Sequence, residues 1–217
     1  MTLAPPAPNA RLVTIFGGSG FVGRHLTRAL AKRGWRIRAA VRRPDLAFHL
    51  QPLGGVGQVT AVQANLRYPQ SIAAALRGAD AVVNLVGILA PRGRQTFEAV
   101  QDFGTRAIAR AAREAGIANV VQMSAIGADA QSDSLYARSK ASGEAAMLEA
   151  NASAIIARAS IIFGPEDQFF NRFAALARAL PALPLIGAQT KFQPVYVGDV
   201  ASALADMLDG KAKPGAT

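Results

Sequence analysis

At residues 11–16 an apolar run, RLVTIF, leads straight into GGSGFVG. The spacing of Gly17, Gly20 and Gly23 suits one kind of chemistry, the binding of a dinucleotide's phosphates. Gly17 permits a tight turn, Gly20 lets backbone approach a pyrophosphate, and Gly23 lets the following helix pack closely on the strand. Ser19, Phe21 and Val22 lie in the same loop and helix start, where free N–H groups and the positive helix end favour anions. A second pattern, YARSK, puts Tyr136 and Lys140 four residues apart on one helix face. An ammonium beside a phenol is expected to lower its pKa from about 10, making Tyr136 a general acid and base near neutrality. The same lysine can hold a nicotinamide ribose; a plain surface Tyr–Lys pair is the bland alternative. Ser124, closing the run VVQMS, suits either polarising a substrate carbonyl or capping a turn.

The residues after the second apolar run select among dinucleotides. A site for NAD(H) wants an acid there to bind the ribose 2′-hydroxyl, whereas here Val41 is followed by Arg42 and Arg43. Guanidinium groups suit a 2′-phosphate, so NADP(H) is preferred. Asp45 keeps NAD(H) open, should the strand end later. Arg24 is a second candidate anion contact. Two near misses are dismissed: Arg24 and His25 stand where a triphosphate-binding loop needs Lys and Ser or Thr, and Phe21 spoils a nucleophile elbow around Ser19.

The elements that must position these residues alternate. Strands are expected at 12–16, 36–41, 58–62, 81–86, 119–123, 154–157 and 194–197. Helices are expected at 20–33, 70–77, 96–114, 134–150, 168–179 and 199–208, with Gly34, Gly78, Gly116 and Gly210 as stop signals. The pattern predicts an α/β Rossmann-type, doubly wound parallel sheet with helices on both faces. Runs such as AVVNLV, apolar on successive residues, fit strands covered on both sides. Residues 1–10 are expected to form a flexible tail and 11–217 the dinucleotide-binding domain with the start of a substrate lobe.

With 217 residues, 51% of them apolar and 18% charged, the chain can bury a full core. It has no apolar run of roughly 18 residues, so no transmembrane segment is expected. The opening MTLAPPAPNA does not read as a signal peptide. With no cysteine and only His25 and His49, no metal site or thiol chemistry is expected. The expected location is cytoplasmic, or peripheral at the inner face of the plasma membrane. Net charge is +10, and residues 1–44 carry nine bases and no acid, leaving 15 bases against 14 acids in the rest. Such a cluster suits nucleic acid, anionic lipid or a phosphate-bearing ligand. No nucleic-acid motif accompanies it and aromatics are only 6%, so a nucleic-acid partner is not expected. Arg28, Lys32 and Arg33 remain candidates for anionic lipid.

GGSGFVG, the pair Asn65-Leu66 and YARSK, in that order, resemble the extended and atypical short-chain dehydrogenase/reductases. ARASIIFGPEDQFFNRF (157–173), LPLIG (183–187) and KFQPVYVGDVASAL (191–204) resemble more narrowly the bacterial version of the complex I accessory type called alpha subcomplex subunit nine. That resemblance implies a tightly bound, structural NADPH and a place where the peripheral arm of respiratory complex I meets its membrane domain. Gly17, Gly20 and Gly23 would cradle the pyrophosphate, and Arg42, or Arg43 beside it, would meet the 2′-phosphate. Asn65 and Leu66 would line the adenine, and Val86 and Gly87 would run beneath the adenosine. Tyr136 and Lys140 would face the nicotinamide ribose, with Ser160, Ile161 and Phe163 along the nicotinamide. Three positions depart from the enzymes' pattern: Asn65 stands for an aspartate, Gln101 for a structural asparagine, and Ala159 for a proline. The family continues past Thr217 into a substrate lobe, which is expected to be mostly absent here. The leading expectation is a cofactor-holding brace for complex I; the alternative is an active NADP-dependent oxidoreductase or epimerase working through Tyr136, Lys140 and Ser124.

Overall fold

The computed structural model describes residues 6, 7, 9–180 and 189–217; the LPLIG stretch (183–187) and residues 1–5 and 8 of the expected tail lie outside the described residues. Six strands pair in parallel: β1 (Leu12–Phe16), β2 (Arg36–Val41), β3 (Val59–Gln63), β4 (Ala81–Asn84), β5 (Asn119–Ala125) and β6 (Ile155–Ala159). Their order across the sheet is β3-β2-β1-β4-β5-β6, the doubly wound arrangement expected from the sequence. All five residues of β1 are buried, as its central position between β2 and β4 requires.

Five helices cross over or extend the sheet: α1 (Phe21–Lys32), α2 (Pro69–Leu76), α3 (Phe103–Glu114), α4 (Leu135–Ala150) and α6 (Val197–Leu208), with α5 (Phe170–Ala179) between α4 and α6 in the chain. On one face Leu26 and Leu30 of α1 meet Val200, Leu204 and Leu208 of α6 over Val13, Ile15 and Ile37. On the other, Ile72 and Leu76 of α2, Ile108 and Ala112 of α3 and Met147 of α4 cover Phe16, Val82 and Ile156. Each strand therefore alternates its side chains between two apolar layers.

Four expectations about elements need correcting. The helix expected across 96–114 opens with a π-helical turn, Glu98–Asp102, before α3. Residues 194–197 do not extend the main sheet; β8 (Val195–Tyr196) pairs instead with β7 (Ile162–Phe163) in a separate two-stranded ladder. β4 stops at Asn84, because Val86 N donates to the Asn84 side chain. Pro44–Leu46 and Phe48–Leu53 wind into 3-10 turns where no element was expected.

Much of the basic cluster has internal partners. Arg33 Nη1 donates to Asp206 at 2.7 Å and to Asp209 at 2.9 Å, tying α1 to α6. Arg11 Nη2 and the buried Trp35 Nε1 both donate to Asp209 Oδ1 at 3.0 Å, and the Arg11 guanidinium lies 4.1 Å from the Trp35 ring centre. Arg38 donates to Ala75 O and Arg77 O, closing the end of α2. Burial alone would raise the Asp209 carboxyl; the Arg33 and Trp35 donors outweigh it and hold it low. Asp209→Ala leaves the Trp35 N–H without an acceptor and is expected to cost roughly 2 kcal/mol in urea unfolding. Asp209→Asn, which keeps an acceptor, is expected to cost clearly less.

Candidate functional site

β1 and β4 are neighbours, and chain connections leave them in opposite directions across the sheet. Ligands of open parallel sheets bind at such a switch point, outside the carboxyl ends of the strands. A cleft of about 440 Å³ opens there, with Phe16, Gly17, Ser19 and Gly20 on one side and Leu85, Val86 and Gly87 on the other. Gly17 turns the chain with φ +80°, a conformation that side chains rarely adopt. Gly23, in the first turn of α1, has no room for a Cβ, which would collide with the carbonyls of Gly17 and Gly18. Gly18 is equally constrained: its Cβ would stand 2.9 Å from that of Ala39. Gly20 caps α1 without a side-chain hydrogen bond, and no acid lies in the first turn. The helix start is thus open to an anion.

The exits of the next strands supply charge. Arg42 follows β2, Arg67 follows β3, and Arg92 and Arg94 follow β4; all four line the cleft, and no Asp or Glu does. None of the four enters an ion pair among the described residues. Asn65 and Leu66 also line the cleft. Asn65 Oδ1 accepts from Arg67 N at 3.1 Å, shaping the turn that carries Arg67, and Leu66 packs over Gly104. Beneath Val86, the fully buried Asn84 accepts from Val86 N at 3.0 Å and donates to Gln122 Oε1 at 2.8 Å. Arg67, Arg92, Arg94 and Asn84 were not singled out from the sequence. The signal available was positional, since an arginine follows the end of each of β2, β3 and β4.

Other expected contacts lie elsewhere. Arg43 turns away from the cleft, its guanidinium forked on Asp45 with Nη2 to Oδ2 at 2.6 Å. That pairing also occupies Asp45, the residue that had kept a ribose acid in play. Arg24 and His25 both reach Glu166, at 3.7 and 3.0 Å. Phe21 packs on His25 and against Gly164, and Val22 joins the core. Ser160, Ile161 and Phe163 do not line the cleft: Ile161 O accepts from Val195 N, and Phe163 stacks near Phe170 and Tyr196.

The YARSK residues stand beside the cleft floor. A Cβ on Gly87 would lie 3.2 Å from Lys140 Nζ. Lys140 Nζ is 5.8 Å from the Tyr136 ring centre and donates to Met123 O at 3.5 Å. Ser124 Oγ is buried and has no hydrogen-bond partner among the described residues. The expected lowering of the Tyr136 pKa is overturned: burial raises the phenol. The lysine yields instead. Burial lowers Lys140 to about 8, opposed by Glu144, which Arg158 grips through two hydrogen bonds. Gln101, from the π-helical turn, donates to Ile88 O at 2.7 Å and accepts from Ser139 Oγ at 2.5 Å, bracing the post-β4 segment against α4.

Residues 17–160 match the family described as NAD(P)H-binding. The chain belongs to that family. Residues 128–209 also match the 3-beta hydroxysteroid dehydrogenase/isomerase family. The chain is 37% identical over 200 residues to the mitochondrial NADH dehydrogenase [ubiquinone] 1 alpha subcomplex subunit 9 of Arabidopsis thaliana, covering 91% of this chain and 50% of that protein. It is 37% identical over 199 residues to the ceramide reductase of Caulobacter vibrioides, covering 91% of this chain and 61% of that protein. The chain thus spans little more than half the length of these relatives. Two solved structures share the fold: the Bordetella bronchiseptica enzyme WbmH in complex with NAD+ (TM-score 0.77, 17% identity, 96% of this chain and 75% of that one) and the UDP-N-acetylglucosamine 4-epimerase from Bacillus cereus (TM-score 0.68, 20% identity, 95% and 76%).

Lys140 offers a direct check on these electrostatics. Its folded pKa near 8 lies below the unfolded value of about 10.4, so the unfolded chain binds more protons between those pH values. Stability from this group therefore rises as pH goes from 8 to 10, and the burial penalty is fully present below 8. Relative to wild type, Lys140→Met is expected to reduce the gain in unfolding free energy between pH 7 and pH 10 by roughly 2–3 kcal/mol. Urea melts at the two pH values check this.

Proposed function

We propose that this chain holds NADP(H), keeps it as a structural group, and braces a membrane-associated respiratory NADH:quinone oxidoreductase. The observation that carries the cofactor choice is the cleft wall of Arg42, Arg67, Arg92 and Arg94 with no acid among its lining residues. A cofactor bearing a 2′-phosphate suits that wall better than one ending in a ribose hydroxyl. Gly17, Ser19, Gly20, Phe21, Val22 and Gly23 would hold the diphosphate, and Arg42 the 2′-phosphate. Asn65, Leu66, Val86 and Gly87 would enclose the adenosine. Tyr136 and Lys140, beside the cleft floor, would hold the nicotinamide ribose; Ser160, Ile161 and Phe163 stand outside the cleft and are not assigned to the nicotinamide.

When bound, the nicotinamide ring supplies hydride transfer. The chain's own groups are tuned for holding at neutral pH: Lys140 is largely protonated, and the buried Tyr136 phenol keeps its proton. Both can donate hydrogen bonds, and neither is a ready base. The bracing role is supported by the similarity to complex I subunit-nine proteins from plant, animal and slime-mould mitochondria. Among the described residues no helix is long and apolar enough to cross a membrane.

A second reading, an NADP-dependent oxidoreductase or epimerase, is favoured by the partnerless Ser124 Oγ near Lys140 and by the equal identity to a ceramide reductase. The two readings separate in one preparation. The protein is purified gently and soaked in excess NADP+; it is then denatured and the released dinucleotide identified. NADPH that survives the soak is the expected result. A freely exchanging site, together with turnover that Tyr136→Phe abolishes, would favour the enzyme.

A further inference from the structure

Residues 88–97 join the end of β4 to the π-helical turn before α3, and they do so as a small clasp. Arg92 and Gln95 exchange backbone hydrogen bonds at 3.0 and 3.1 Å, leaving Gly93 and Arg94 as a two-residue loop. Gly93 has φ +56°, which suits the first position of such a loop. The segment is held at both ends. Ile88 O accepts from Gln101 Nε2, and the Phe97 ring meets Tyr136 edge-on at 6.0 Å. The clasp nevertheless presents two exposed arginines at the cleft. Neither has a carboxylate partner among the described residues.

We infer that Arg92 and Arg94 clamp the dinucleotide's diphosphate from the wall opposite the glycine loop. The inference rests on the cofactor reading above and assigns two residues that the glycine motif does not include. Arg42 and Arg67 leave β2 and β3, the side where a ribose 2′ position lies in this fold. The arginines after β4 follow the strand on the other side of β1, and they line the same cleft as Gly17 and Gly20. Charge balances in the same way. A phosphomonoester carries about two negative charges and each diphosphate phosphorus about one, against four guanidinium groups. Arginine suits this task because its planar fork pairs bidentately with phosphate oxygens. The clamp therefore strengthens binding without selecting between NADPH and NADH, whereas Arg42 selects.

The test uses wild type, Arg92→Gln/Arg94→Gln and Arg42→Gln in the full chain, each freed of any copurified dinucleotide, with dissociation constants for NADPH and NADH measured by calorimetry. Matching melting temperatures establish that each variant is folded. The double variant is expected to weaken both dinucleotides by a similar factor, about tenfold, and to flatten the salt dependence. Arg42→Gln is expected to weaken NADPH while sparing NADH. In wild type, NADPH is expected to slow tryptic cleavage after Arg92 and Arg94. Unchanged affinities in the double variant, a loss confined to NADPH, or no tryptic protection would overturn the clamp and leave the cofactor reading intact. A wild-type chain that binds neither dinucleotide would overturn both.

Discussion

Between Phe16 and Phe21 the chain leaves a fully buried strand, reverses, and starts a helix that must lie against that strand. Gly23 meets this constraint by passing under the carbonyls of Gly17 and Gly18, where no Cβ fits, and Gly17 meets it by turning at positive φ. α1 then packs over β1 and against α6, so the position of one crossover fixes one whole layer of the core. The same turn leaves the start of α1 uncapped at the switch point between β1 and β4. An open helix end, a close-packed turn and a cleft are three results of one steric requirement.

Arginine is used in two ways around that turn. Arg11, Arg33 and Arg38 lie at the amino-terminal edge of the sheet or beneath it; Asp209 pairs with Arg11, Asp206 and Asp209 pair with Arg33, and the carbonyls closing α2 accept from Arg38. Arg42, Arg67, Arg92 and Arg94 lie at the carboxyl edge, beyond the strands, without an acid lining the same cleft. Four like charges around one cleft repel one another, and a bound polyanion relieves that repulsion. The net charge of the chain thus reports less on a large partner surface than on where its unpaired fraction is gathered.

The sheet was legible because β1, β2 and β5 are apolar runs bounded by turn signals, and all four expected helix-stop glycines do adopt positive φ. Gly17 and Gly20 were expected from their spacing after β1, and Asn65, Leu66, Val86 and Gly87 from the resemblance to the short-chain dehydrogenase/reductases; all six line the cleft. Side-chain direction was not legible. Arg42 and Arg43 look equivalent in sequence, but the pleat of β2 and the nearby Asp45 send them to different sides. The direction of the Tyr136 shift was misjudged for a related reason: burial, the cause that raises the phenol, depends on residues distant in sequence. Arg92 and Arg94 sit in a segment without periodicity, so nothing local indicated that it returns to the cleft.

Lys140 and Ser124, beside the cleft floor, are buried and weakly hydrogen-bonded, whereas the arginines lining the cleft are exposed and highly charged. The most direct measurement of the central claim is a pair of titrations of the wild-type chain, freed of any copurified dinucleotide, with NADPH and with NADH, in one low-salt buffer. Binding of NADPH at least about tenfold tighter than NADH is the predicted result, as one added charge-assisted phosphate contact would give. Equal affinities, or tighter NADH, would contradict it.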